Sequence, residues 1–362
     1  MKYSNVCIEG LGYSLPEEVV TSAELEARLE PLYRRLRLPE GRLELMTGIR
    51  ERRFWPPGML PSEQSTGTAK RLLDDSGLAR NEIGALVHAS VCRDYLEPAT
   101  ACSVHHATNL PAECLVYDVS NACLGILNGM VQVANLIELG QIRAGLVVGT
   151  ESARPLVENT IRTLNEDTTL SRDQMKLAVA SLTIGSGSAA VLLTHRSLSR
   201  TGNRLLAATA RAHTAGHALC RGQERFYGSA TDGGVVAPLM QTDSERLLEQ
   251  GVIAARAAFA SFLQETGWPR ETIAKTICHQ VGSAHRKLLL QSLELDPARD
   301  FTTYETLGNT GSVALPITLA RAAETGFLQA GDRVSLLGIG SGINVLMLAV
   351  EWQQGPHSTA RG

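Results

Sequence analysis

The feature that most constrains this chain is a repeated alternation of short apolar runs with helical patterns. Residues 6–13 read as a strand, and 62–77 as a helix that Ser62 can cap and Gly77 can end. Residues 83–91 and 114–119 are further strands, the first apolar almost without alternation, as in a strand buried on both faces. A helix at 124–139 closes at Gly140, and strands follow at 144–149 and 189–194. The order then recurs, with strands at 205–210, 272–280, 334–339 and 345–350 and helices at 244–266, 283–293 and 313–325. Such alternation predicts an α/β protein with a mostly parallel sheet and helical layers. Two successive sets predict an internal duplication: a first half over 1–195, a second over 196–352, and a solvated tail at 353–362. A polar, helix-patterned stretch within about 152–182 reads as an insertion capping the first half.

Composition removes several function classes. Lys+Arg number 34 against 37 Asp+Glu, so no basic excess points to nucleic acid or an anionic membrane. No apolar stretch is long enough to span a bilayer, and residues 1–10 lack the apolar core of a secretory signal. The seven cysteines are odd in number and widely spread, with no C-x-x-C, a usage that fits a reducing cytoplasm.

Two tempting signals are weak. His213 and His217 stand four apart like helical metal ligands, but no third ligand lies near and Gly216 weakens the helix, so no metal is expected. Gly338-Ile339-Gly340-Ser341-Gly342 follows a strand, yet lacks the third glycine of a dinucleotide fingerprint, and another strand follows. It reads as a tight turn between strands.

The chemistry concentrates elsewhere. Cys123 follows the strand at 114–119 and opens the helix at 124–139. A thiol at a helix start meets unpaired N–H groups and a positive dipole, which favour the thiolate and can hold an oxyanion. Position alone leaves open a small packed cysteine. His279 ends the strand at 272–280, where open sheets bind ligands. Asn309, in Leu307-Gly308-Asn309-Thr310-Gly311, precedes a helix much as Cys123 does.

Taken together, Gly48-Ile49-Arg50-Glu51-Arg52-Arg53, Asn121-Ala122-Cys123, His279-Gln280, Gly308-Asn309-Thr310-Gly311 and the Gly338–Gly342 turn resemble the thiolase superfamily, most closely its ketoacyl synthase III group. Ser90-Val91-Cys92-Arg93-Asp94-Tyr95-Leu96-Glu97-Pro98-Ala99-Thr100 resembles the narrower OleA-type thiolases, which join two fatty acyl-CoA molecules head to head. The resemblance spans residues 5–352. It implies a thiolase fold, two α/β halves in a five-layer α-β-α-β-α arrangement, and a Cys123-His279-Asn309 triad. It departs from ketoacyl synthase III at His279-Gln280-Val281-Gly282 and at Ser341.

What the resemblance implies is a cytoplasmic acyltransferase performing a non-decarboxylative Claisen condensation, with acyl-CoA as substrate and no other cofactor. Cys123 would take the first acyl group, its oxyanion held by the Cys123 N–H and a turn N–H, best that of Ser341. Glu97, reaching across a homodimer, would remove the α-proton of the second acyl-CoA; a solvated loop glutamate is the plain alternative. Arg50, Arg53 and Trp55 would meet the CoA nucleotide, or form only a surface basic cluster. The product would be a 2-alkyl-3-ketoacyl compound for olefin, ketone or β-lactone biosynthesis. Rival readings are a ring-closing ketosynthase making an α-pyrone or resorcinol, a synthase that uses acyl-carrier-protein thioesters, and an inactive subunit of a heterodimer.

Overall fold

The computed structural model describes residues 1–169, 171–227 and 235–354. In chain order, β1 (Val6–Ser14) and β2 (Glu18–Thr21) lead to three short helices, α1 (Ser22–Arg28), α2 (Glu30–Leu36) and α3 (Arg42–Thr47). Then come β3 (Glu51–Phe54), α4 (Pro61–Ser76), β4 (Ile83–Ala89), α5 (Thr100–Thr108), β5 (Leu115–Val119), α6 (Gly125–Glu138) and β6 (Ala144–Glu151). Helices α7 (Arg154–Glu166) and α8 (Arg172–Val179) precede β7 (Gly187–His195) and β8 (Arg204–Ala212). A hairpin of β9 (Cys220–Tyr227) and β10 (Val235–Thr242) leads to α9 (Ser244–Thr266), β11 (Lys275–Cys278), α10 (Ser283–Leu293), α11 (Tyr304–Leu307), α12 (Ala314–Glu324), β12 (Arg333–Gly340) and β13 (Asn344–Glu351).

Nine strands share one hydrogen-bonded order, β11-β12-β13-β8-β1-β7-β6-β4-β5. The expectation of a mostly parallel sheet is corrected. Among the described residues only β4–β5, β4–β6 and β11–β12 run parallel. The pairs β1–β7, β1–β8, β6–β7, β8–β13 and β12–β13 are antiparallel. The reason is plain at β12–β13: a turn of residues 341–343 is too short for a crossover, so the strands must form a hairpin.

The period of two along the strands explains the layers. On β7, Ala189, Val191 and Leu193 join one core, while Ala190 and Leu192 join another shared with α4 and α5. On β13, Leu346, Leu348 and Val350 enter that first core, and Val345, Met347 and Ala349 face α9 and α10. The common core holds α6 and α12, each buried on nearly every face. A helix apolar all round belongs between two sheet faces, and sheet surfaces on either side of a central helical layer give the five-layer fold. Strands that bury both faces read as unbroken apolar runs.

Several boundaries differ from expectation. Helix α4 begins at Pro61, and Glu63 reaches back to the Leu60 N–H at 3.1 Å, so Ser62 is inside the helix rather than its cap. The helix read at 313–325 opens with a 3-10 turn, Gly311–Val313. The strand read at 272–280 keeps only its Lys275–Cys278 centre. The pairs β2–β3 and β9–β10 carry too little apolar alternation to announce themselves. Of the tail at 353–362, Gln353 and Gln354 are pinned by Asn203, whose Oδ1 accepts both amide N–H groups at 2.8 and 3.0 Å; 355–362 lie outside the described residues.

Candidate active site

The approach to Cys123 is a tight, over-determined turn. Ala122 has φ 45°, a left-handed conformation costly for a residue with a Cβ. Asn121 holds it there: its Nδ2 donates to Asn128 Oδ1 at 2.7 Å, and its Oδ1 accepts from Asn344 Nδ2 at 3.1 Å. The second bond ties the Cys123 turn to the β12–β13 hairpin. Gly340 permits the approach, because a Cβ there would lie 3.1 Å from Leu124 Cγ. The 338–342 turn thus lies against the Cys123 loop, and Ser341 sits in it, half-buried.

Cys123 lies just outside α6, whose first residue is Gly125. Its thiol is pushed up to about 12, first by burial, then by the Glu151 carboxylate and Cys220, while its own amide N–H draws it down. This corrects the expectation of an acidified thiol. Loss of water outweighs the dipole of a helix that starts beyond the residue.

His279 follows β11 and is 4% exposed; its N–H donates to Leu337 O on β12 at 3.0 Å. Burial, reinforced by His285, lowers it to about 3, so its imidazole is neutral at ordinary pH. Gln280 beside it accepts from the Thr303 and Tyr304 N–H groups at 2.9 and 3.2 Å, tethering the strand end to the segment that leads into Asn309. Gly308 precedes Asn309 at φ 66°, where a Cβ would meet Thr183 O at 2.6 Å. Asn309 is clasped through its backbone, its N–H donating to Thr183 O and its C=O accepting from Gly185 N, both at 2.9 Å. Its Oδ1 accepts from Gly311 N at 3.0 Å, which leaves Nδ2 free in orientation to donate. Ser312 follows, and a Cβ at Gly125 would lie 3.4 Å from Ser312 Cβ. Contacts therefore run from the Cys123 turn to the Asn309 turn and, through β12, to His279. Among the described residues, none of the three side chains hydrogen-bonds another.

The remaining predicted residues are scattered. Glu97 is exposed on the 90–99 loop, beside Leu96 at 98% exposure, and makes no hydrogen bond or ion pair among the described residues. Arg50 is exposed, and Arg53 is half-buried with NH1 on Pro16 O at 2.9 Å. Trp55 is only 5% exposed and donates Nε1–H to Glu151 O at 3.1 Å. Its ring is packed and offers no free face, which removes it from the expected nucleotide contact. Among the described residues no cluster of side chains is suited to a metal, and no helix is long and apolar enough to cross a membrane.

One residue escaped the sequence reading. Glu151 ends β6, 5% exposed, between the loop after β4, the turn after Asn309, and Cys123. The signal was a carboxylate closing the apolar run 144–150 at a strand C-terminus.

Comparison with known proteins decides the family. Residues 117–214 match 3-oxoacyl-[acyl-carrier-protein] synthase III, and 263–352 match its C-terminal region. The acyl-CoA:acyl-CoA alkyltransferase of Shewanella oneidensis is 44% identical, covering 97% of this chain and 100% of that protein. The chain belongs to the acyl-CoA:acyl-CoA alkyltransferase family, the OleA-type thiolases. A β-ketoacyl-[acyl-carrier-protein] synthase III of Bacillus pumilus is 25% identical over 96% of this chain and 99% of its own length. Crystalline OleA of Xanthomonas campestris, with bound lauric acid and lauroyl-CoA, matches at TM-score 0.89 and 34% identity, covering 97% of this chain and 100% of that one. The thiolase fold and the OleA-type resemblance both agree with these matches.

Proposed function

We propose that this enzyme joins two acyl-CoA molecules head to head by a non-decarboxylative Claisen condensation. The observation that carries the reading is its 44% identity to an acyl-CoA:acyl-CoA alkyltransferase over essentially both whole chains, against 25% for a carrier-protein synthase.

In the resting site Cys123 is a thiol and His279 a neutral base. As the first acyl-CoA binds, the thiol proton passes by way of His279 to the departing CoA sulfur, and Cys123 sulfur bonds the acyl carbon. The Cys123 N–H and the Ser341 N–H hold the tetrahedral oxyanion. Glu97 of the second protomer then takes the α-proton of a second acyl-CoA. A malonyl donor would form its carbanion by losing CO2; a plain acyl donor needs a base. Asn309 Nδ2 and His279 donate to the thioester oxygen as it becomes enolate-like. The α-carbon attacks the acyl-Cys123 carbonyl, the thiolate leaves, and the proton held by Glu97 returns to it. Water cleaves the resulting 2-alkyl-3-ketoacyl thioester to the β-keto acid, a precursor of olefins, ketones or β-lactones. Arg50 and Arg53 are the cations offered to the CoA phosphates.

The homodimer has its own support. Strand β5 ends the sheet order with one edge unpaired by any described strand; Leu115 on it is an exposed apolar side chain, as are Val91, Tyr95 and Leu96 in the loop after its neighbour β4. Open apolar edges are normally covered.

The test is to incubate the purified protein with lauroyl-CoA and no malonyl thioester. Free CoA, an acyl adduct on Cys123 and a condensed β-keto acid are expected. An absolute need for a malonyl or carrier-protein thioester would sink the reading, and a cyclised product would favour a ring-closing ketosynthase.

A further inference from the structure

Glu151 is the least explained group near the centre. An ionised carboxylate is expensive to bury unless donors surround it. Here the donors come from two separate segments. From the loop that follows β4, Val91 N donates to Oε1 at 3.0 Å and Cys92 N to Oε2 at 3.4 Å. From the turn that follows Asn309, Ser312 Oγ and Ser312 N donate to Oε1 at 2.6 and 3.3 Å. Gly311 leaves room for the carboxylate, since a Cβ there would lie 3.2 Å from Glu151 Cδ. Burial pushes the Glu151 carboxyl up, while the Ser312 hydroxyl, the Val91 amide and Cys92 hold it down.

We propose that Glu151 is a positioning residue, a buried clamp that fixes the loop carrying Glu97 to the turn carrying Asn309. This rests on the reading above, in which Glu97 supplies the base to one site of a dimer and Asn309 the donor to the other. Under it, the clamp links the two sites: the segment that completes the partner's site is fastened to the turn that builds its own. The same carboxylate also pushes the Cys123 thiol up.

The experiment compares wild type, Glu151→Gln and Ser312→Ala with lauroyl-CoA. Acyl-Cys123 is followed by intact mass, condensed product by mass spectrometry, and Cys123 alkylation by iodoacetamide across pH. Glu151→Gln should slow condensation about 10- to 100-fold more than acylation, the loss of hydrogen bonds to a charged group. Its alkylation profile should move to lower pH, because a neutral amide no longer opposes the thiolate. Ser312→Ala keeps the carboxyl group but removes its shortest donor, so condensation should fall about tenfold, with an alkylation profile that moves less than in Glu151→Gln. Equal losses in acylation and condensation with an unmoved profile in Glu151→Gln would reduce the residue to a stabiliser and overturn the proposal. If Glu151→Gln does not fold, Ser312→Ala decides, and wild-type condensation by it overturns the clamp. Failure of wild type to condense lauroyl-CoA would instead remove the functional reading, and the alkylation profiles would still report on Glu151.

Discussion

The approaches to the two central helices make an instructive pair. Before α6 the chain places Cys123, and before α12 it places Asn309, with both helices sunk in one core. Each approach carries a residue of positive φ next to the functional one, Ala122 at 45° and Gly308 at 66°. The difference lies in what surrounds the side chain. Cys123 is half-buried beside a carboxylate, and its thiol is pushed up to about 12. Asn309 is neutral, fastened by backbone bonds on both sides, with its amide oriented by Gly311. Under the proposed function, one approach holds a reactive atom in reserve and the other a donor in fixed aim. A charge that must appear and vanish suits the first, and a dipole that never changes suits the second.

The largest effect should come from the reactive side. Cys123→Ser is expected to abolish the acyl adduct, since a serine hydroxyl is harder still to ionise in a site that already holds a thiol protonated. An adduct on another cysteine of this variant, seen by peptide mass, would break the comparison at its root.

Next is Glu97, which neither approach contains. Glu97→Ala should still form acyl-Cys123 but lose about 10²–10⁴-fold in condensation, the usual worth of a general base. Mixing it with Cys123→Ala sharpens the point. Each homodimer is inactive, yet the heterodimer should regain one site, built from Cys123 of the first chain and Glu97 of the second. Verified mixed dimers without activity would place Glu97 outside the site of its partner.

On the donor side, Asn309→Ala and His279→Ala should each cost about 10²–10³-fold in condensation while acyl transfer suffers less. If Asn309→Ala instead blocks acylation as fully as Cys123→Ser, the division between reserve and aim fails.

The smallest effect is on stability. His88, His279 and His285 are lowered by burial to about 4, about 3 and about 4. Each stays neutral in the fold where the unfolded chain would protonate near pH 6.5, so stability is full above that value and is lost as pH falls toward the folded values. Melting temperature should therefore drop between about pH 7 and pH 5, and His285→Leu should flatten that slope. A melting temperature indifferent to pH in this window would mean that the histidines are not held neutral.

The order of motifs was legible in the sequence because it needs only local chemistry. Apolar runs mark strands, the Gly77 and Gly140 boundaries mark helix ends, and Cys123, His279 and Asn309 stand where a strand end or helix start exposes them. Sheet direction was less legible: the 341–343 turn implied an antiparallel pair, but the alternation of helices and strands spoke louder. Trp55 looked like an aromatic free to stack, and only the packed structure shows its indole N–H spent on Glu151 O.

What the sequence determined by itself is thus which side chains are candidates for the chemistry and the α/β layering, since residue type and hydrophobic period are properties of a local stretch. The tertiary structure alone decided the ionisation of Cys123, the neutrality of His279 and the fastening of Glu151 between two distant segments. These depend on how much water is excluded and on which donors converge from residues such as Val91 and Ser312, far apart along the chain.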